Sequence, residues 1–460
     1  MTDEEAADAG EGTGSGAGVN RRRAMKYLTS GALATSLGLA GCIQSADEGD
    51  GGGGGSTDTP GDGEDTPTET TGGGDGESTG TPGDGASDIG TVTFGVLVPT
   101  SGPSAPLGQA QRRGAELGVR YVNGSDEFDF EIEAVYEDTQ TDPATGRQRA
   151  EKVVDEDGAR YIAGALESSV ALAVSEFVAG EDLLYTSGAA TIELTGEGCN
   201  PNTFRNETNA AQQMAGLADF AAAELGTNWW IHTTDDAYGN SAVAQIERRV
   251  EAQGLDVEIV GRTMPDKGTT NYGPQISRIS NSEAEVVALP ETGADLVNFM
   301  KQASNAGLTE EVEIIGTALF AGVSRAALGE TAVGTYSSTL YNHKLDTGDN
   351  AGFVEAYRSA HDGPPGSFAR VGYELVRTAA RGIQAAGTAD PTRVRDTLEG
   401  LEMTTVLGGT PYRSCDHQSV NPVWAGEIVE SESGPPDVEI IAEVSGEDAI
   451  RPCGETGCSL

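Results

Sequence analysis

From residue 90 onward the chain alternates short apolar, β-branched runs with longer amphipathic ones, and no other feature constrains its fold as much. Strand-like runs fall at 91–98, 128–136, 161–163, 183–186, 228–233, 256–262, 285–289 and 312–316. Helix-period runs lie near 108–121, 142–154, 168–178, 209–225, 238–253, 273–281 and 292–306. Asp142-Pro143 shows how one helix starts: an N-cap acid precedes a proline at the first helical position, where its missing N–H is no loss. Helices at 350–361, 367–386 and 391–399 and a hairpin-like stretch to about 445 follow. Repeated β-α-β spacing predicts an α/β fold of parallel sheets with helices on both faces. A chain of 460 residues exceeds what one core usually holds, so two lobes are expected.

Charge narrows the partners. Acidic residues number 73 against 28 basic ones, for a net charge of −45, and only five of the basic residues are lysines. Such a surface repels nucleic acid and anionic lipid, so neither is an expected binding partner. Because apolar runs recur throughout the body, the acidity reads as a surface kept hydrated in concentrated salt, as halophilic proteins use, and not as disorder.

The N-terminus reads as an export signal over 1–41. Arg21-Arg22-Arg23 precedes an apolar stretch at 27–40, too short for a spanning helix of about 20 residues. The paired arginines resemble a twin-arginine address. Leu39-Ala40-Gly41-Cys42 resembles a lipobox, in which Cys42 would become the lipidated first mature residue. Residues 43–88 hold 15 glycines and 12 acids with no lysine, arginine or aromatic, a composition that cannot bury a core and reads as a tether. The expected location is the outer face of the cell membrane, lipid-anchored.

In open parallel sheets, ligands bind beyond the carboxyl ends of the strands, where helix N-termini present free N–H groups. The segments at those ends are Ser101-Gly102-Pro103, Glu167-Ser168-Ser169, Gly188-Ala189-Ala190-Thr191, Asp235-Asp236-Ala237-Tyr238-Gly239 and Glu291-Thr292-Gly293. They are small, polar or aromatic, suited to a small polar ligand.

One resemblance runs in order from about 90 to 430. Phe94-Gly95-Val96-Leu97-Val98-Pro99-Thr100-Ser101-Gly102-Pro103, Asp138-Thr139-Gln140-Thr141-Asp142-Pro143, Gly164-Ala165-Leu166-Glu167-Ser168-Ser169, Gly188-Ala189-Ala190-Thr191 and Asp236-Ala237-Tyr238-Gly239 resemble the branched-chain amino-acid (Leu/Ile/Val) binding proteins, the type I substrate-binding proteins of ABC importers. The resemblance implies two Rossmann-like lobes joined by three crossovers, closing on a ligand as a clamshell. By that analogy lobe one spans 89–207 and 341–403, lobe two 208–340 and 404–446, and 447–460 forms a tail. It implies a monomer that hands its solute, a branched-chain amino acid or a related amide or carboxylate, to an ABC permease, with no cofactor. It also implies ligand-binding roles for Ser101, Ser168, Ala189, Thr191 and Tyr238. Thr292 stands where relatives often carry a tyrosine, and Ala318 where amino-acid binders carry the acid that pairs with the ligand ammonium. Glu291 or Glu167 is then the available substitute. A ligand-sensing receptor of the same fold is the alternative function.

An enzyme is not expected. His232, His343, His361 and His417 show no paired metal spacing, and no nucleophile-elbow or phosphate-loop motif occurs. Nor do Cys199, Cys415, Cys453 and Cys458 fit a zinc finger, so no metal is expected. Four cysteines outside the cell predict two disulfides, with three pairings open. Cys453 and Cys458 are close enough for a small ring; Cys415 with a tail cysteine would clip the tail to lobe two; Cys199–Cys415, which would join the lobes, ranks last. The sequons at Asn123 and Asn206 are candidate glycosylation sites.

Overall fold

The computed structural model describes residues 89–409 and 412–460. The twin-arginine motif, Cys42 and the tether lie outside the described residues. No helix among the described residues is long and apolar enough to cross a membrane.

Lobe one begins with β1 (Gly90–Val98), α1 (Ala105–Gly124), β2 (Phe130–Asp138), α2 (Pro143–Asp155), β3 (Tyr161–Gly164), α3 (Ser168–Val178), β4 (Leu184–Ser187) and β5 (Thr203–Arg205). Its five strands are parallel in the order β2-β1-β3-β4-β5. After α4 (Ala210–Glu224), lobe two runs through β6 (Asn228–His232), α5 (Ala237–Gln253), β7 (Glu258–Thr263), α6 (Gly273–Ser280), β8 (Val286–Leu289), α7 (Gly293–Asn305), α8 (Leu308–Glu311), β9 (Glu313–Gly316), α9 (Gly322–Leu328) and β10 (Tyr336–Thr339). The chain then returns to lobe one as α10 (Asn350–Ala360), α11 (Ser367–Ala386) and α12 (Pro391–Leu398). The small ladder β11 (Thr404–Thr405) and β12 (Gly408–Gly409) precedes β13 (Val423–Val429), β14 (Asp437–Val444) and α13 (Gly446–Ala449). Sheet two has the order β14-β13-β10-β9-β8-β6-β7, parallel except for the antiparallel edge pairs β10–β13 and β13–β14.

Glycine permits the tightest packing in lobe one. A Cβ on Gly114 of α1 would lie 1.8 Å from the Ala369 carbonyl oxygen, and one on Gly372 of α11 would lie 1.9 Å from that of Gln111. The two backbones therefore touch, and Val371, Leu375, Val376 and Ala379 close over Phe94 and Tyr161 of the sheet. Each of these valine and leucine side chains contributes about 1.5–3 kcal/mol by leaving water.

One expectation needs correction, and the structure decides two questions that the sequence left open. Residues 404–409 and 412–418, assigned in advance to lobe two, pack on lobe one. Tyr412 lies in the cluster of Phe94 and Phe204, the His417 ring stacks on Phe204 at 4.0 Å, and the Arg205 N–H donates to the His417 carbonyl. Of the three pairings left open, the tail ring Cys453–Cys458 and the Cys199–Cys415 link do not form, and the pairing of Cys415 with a tail cysteine does. Cys199 pairs with Cys458 and Cys415 with Cys453, at Cα separations of 5.6 and 6.0 Å. The tail is pinned between them, with Arg413 donating to the Arg451 carbonyl at 2.6 Å and Arg248 pairing with Glu455. Its two sulfurs therefore meet different partners, and both bonds tie the tail to lobe one. Finally, the Asn206 sequon is closed to glycosylation in the folded chain: the side chain is buried and its amide donates to the Thr378 hydroxyl at 2.9 Å. Asn123 is exposed, and its side-chain amide pairs with both backbone groups of Ile132.

Candidate ligand-binding cleft

A cavity of about 50 Å³ lies between the lobes, lined by Leu166, Glu167, Ser168, Gly188, Ala190 and Glu207 on one side and by Gln213, Asp236, Tyr238, Lys267, Thr292, Thr317, Ala318 and Phe320 on the other, with Leu340 and Phe368 completing it. Nearly every one of these residues follows the carboxyl end of a parallel strand, where ligands bind in such sheets.

Backbone strain shapes the lobe-one wall. After β3, Gly164 has φ +117° and Ala165 φ +30°, the latter a conformation that L side chains rarely adopt. A Cβ on Gly164 would also lie 2.2 Å from the Leu97 carbonyl oxygen. This turn swings Leu166, Glu167 and Ser168 over the sheet edge. Helix α3 then starts at Ser168 with no side-chain cap, so its leading N–H groups lack intrahelical partners and favour negative charge.

The lobe-two wall is pre-ordered. Asp236 caps α5, its Oδ1 accepting the Gly239 N–H at 2.8 Å. The Tyr238 hydroxyl is hydrogen-bonded with Gln213 Oε1 at 2.8 Å and Thr317 Oγ1 at 2.6 Å, which fixes its ring against the cavity. Lys267 donates to Glu167 Oε2 across the cleft and, at 3.1 Å, to Asp236 Oδ2 in its own lobe. Burial works against the ammonium charge, but the two carboxylates outweigh it and hold the pKa above the ordinary lysine value. The lobes also meet where the Ile192 N–H donates to Ser241 Oγ at 2.9 Å. Leu107 and Leu166 of lobe one share a core cluster with Leu289 and Phe320 of lobe two, so the cleft is closed.

Of the residues named from sequence, Ser168, Tyr238, Thr292 and Ala318 come together on the cavity wall. Ala189 is fully buried between the lining residues Gly188 and Ala190. Ser101 stands apart, its N–H donating to Asp138 Oδ1 at 3.3 Å in the turn after β1. Thr191 is also off the wall: its hydroxyl donates to Glu193 and its carbonyl accepts from Arg205. Glu291 sits behind Thr292, whose N–H donates to Glu291 Oε1 at 2.9 Å. His232 is a core residue, stacked on Phe299 at 4.0 Å, and burial pulls its pKa down to about 3. Sequence reasoning missed Glu207, Gln213, Lys267 and Thr317. Lys267 carried one signal: it is among only five lysines in the chain.

Comparisons with known proteins agree with this architecture. The leucine-, isoleucine-, valine-, threonine- and alanine-binding protein of Pseudomonas aeruginosa is 26% identical over 328 residues, covering 70% of this chain and 86% of that protein. A Leu/Ile/Val-binding protein homolog of Brucella melitensis is 26% identical over 355 residues, covering 75% and 89%. Among solved structures, a solute-binding protein of an ABC transporter from Rhodopseudomonas palustris, in complex with 3,4-dihydroxybenzoic acid, superposes with a TM-score of 0.72 at 22% identity over 80% of this chain and 99% of that one. A leucine-, isoleucine-, valine-, threonine- and alanine-binding protein from Brucella ovis in its closed conformation gives 0.71 at 22% identity, over 80% and 98%. The periplasmic binding protein family profile matches residues 91–434. On that match, and with two mostly parallel sheets closing on a cavity at their strand ends, the chain belongs to the periplasmic binding protein family, a family of solute-binding proteins.

Proposed function

We propose that this protein captures a small polar solute in the interlobe cavity and delivers it to an ABC permease. The carrying observation is the cavity itself, lined from both lobes by strand-end residues. The leading N–H groups of α3 and the Ser168 hydroxyl hold an acceptor group of the solute, Tyr238 forms the facing wall, and Lys267 latches the lobes once they meet. Thr191 acts one step back, by ordering the loop that carries Gly188 and Ala190. In the same reading the twin arginines direct export, Cys42 carries the lipid, the acidic tether lets the body reach the permease, and the charge of −45 suits concentrated salt.

A thermal-shift screen of amino acids, amides and small carboxylates in high salt tests the capture role. A solute at 100 times its Kd stabilises the closed fold by about 2.7 kcal/mol, and Ser168→Ala should weaken its binding about tenfold while the ligand-free melting temperature holds. If no small solute shifts melting, the proposal fails.

A further inference from the structure

The cavity wall carries three carboxylates, Glu167, Glu207 and Asp236, against one ammonium, Lys267. Two of those carboxylates are only half satisfied. Glu207, 2% exposed, lies in the first crossover between β5 and α4. Its Oε1 accepts the Thr208 N–H at 2.7 Å, the Thr208 hydroxyl at 2.8 Å and Arg370 Nη2 at 3.3 Å, while its Oε2 has no partner. Glu167, 6% exposed, gives Oε2 to Lys267, and its Oε1 has no partner. A buried carboxylate oxygen without a donor is costly, and the cost disappears when a ligand brings an N–H group. Glu167 and Asp236 already engage two of the three Lys267 N–H donors, and their two negative charges outweigh its single positive one, so a ligand carboxylate gains little net attraction there.

We propose that Glu207 and Glu167 form a cation subsite on the lobe-one side of the cavity, so that the solute carries a protonated amine or a similar N–H-bearing cationic head and simple carboxylic acids are rejected. The inference rests on the capture role above and specifies its ligand class. The acid that amino-acid binders place in lobe two is Ala318 here; the acceptor comes instead from the crossover and lobe one. Leu166, Phe320, Leu340 and Phe368 offer the apolar wall for the rest of the solute.

The test is calorimetric titration of the full folded body in high salt with three matched probes, each also run as a family: L-leucine with the other amino acids, 3-methylbutylamine with other small amines, and 4-methylpentanoate with benzoate and other small acids. Wild-type protein should bind members of the first two sets and none of the third. Glu207→Gln keeps the contacts to Thr208 but removes the charge, and should weaken amine or zwitterion binding at least about tenfold. Glu167→Gln, a less buried position, should do the same and covers the case in which Glu207→Gln does not fold. Preferential binding of simple acids, or unchanged amine affinity in a folded variant, overturns the cation subsite while leaving the capture role standing. Wild-type protein that binds no member of any set overturns both.

Discussion

Glu291 offers a quantitative check on the electrostatics of the cleft. It is 3% exposed, its Oε1 accepts the Thr292 N–H, and its Oε2 has no partner. Burial pushes its carboxyl up from 4.5 to about 8; the Thr292 N–H and Lys267 pull it down, and Asp295 and Asp236 push it further up. The folded chain thus holds this proton to about pH 8, while the unfolded chain releases it near 4.5. Since the folded pKa is raised, the residue's favourable contribution is complete below about pH 4.5 and is lost as pH rises through 8. At 1.36 kcal/mol per pH unit, the gap corresponds to about 4–5 kcal/mol. Glu291→Gln imitates the protonated form and has no proton to lose. Relative to wild type it should be nearly neutral at pH 5 and more stable by up to about 4–5 kcal/mol at pH 9. Guanidinium unfolding of both proteins at pH 5, 7 and 9, at one salt concentration, measures the difference with the surface charge common to both. Parallel pH profiles, or a variant that loses ground as pH rises, would refute the argument by showing that Glu291 is ionised at neutral pH.

Three other predictions concern the rest of the molecule. Lys267→Met leaves Glu167 and Asp236 facing each other across the cleft without their bridge; small-angle scattering should show a more open ligand-free body, and an unchanged scattering profile would sink the latch. Removing the Cys199–Cys458 bond by a double serine substitution should destabilise the fold by about 3–5 kcal/mol, because it links residues 259 apart in sequence; denaturation under oxidising conditions measures it, and a change under 1 kcal/mol would mean the tail is held by its other contacts. With a net charge of −45, melting temperature should climb between 0.1 M and 3 M salt as the Debye length falls from about 10 Å to below 3 Å; a flat profile would count against adaptation to salt.

Local periodicity carried most of the architecture. Helices expected at 168–178 and 367–386 occur as α3 and α11 with those bounds, and Asp142-Pro143 opens α2 with the Asp142 side chain accepting the Thr145 N–H. These signals are local, since each helix declares its buried face through its own spacing. Strand β10 was not legible: Tyr336-Ser337-Ser338-Thr339 has no strand-like apolar pattern, and its hydroxyls are buried only because β9 and β13 flank it. β5 is three residues long and was missed for similar reasons.

The site divides in the same way. Sequence alone determined that small polar residues would crowd the strand ends, and Ser168, Tyr238, Thr292 and Ala318 do meet at one cavity. What the tertiary structure decided was which polar groups remain available. Thr191 is engaged by Glu193 and Arg205, Lys267 by carboxylates from both lobes, and Glu207 is left half-satisfied beside Arg370, 163 residues away. The cysteines show the same limit, since four thiols allow three pairings and only the path of the tail across Cys199 and Cys415 selects one. Helix and strand periods are set by neighbours a few positions apart and can be read along the chain. Hydrogen-bond satisfaction and charge pairing depend on partners that only folding brings within about 3 Å.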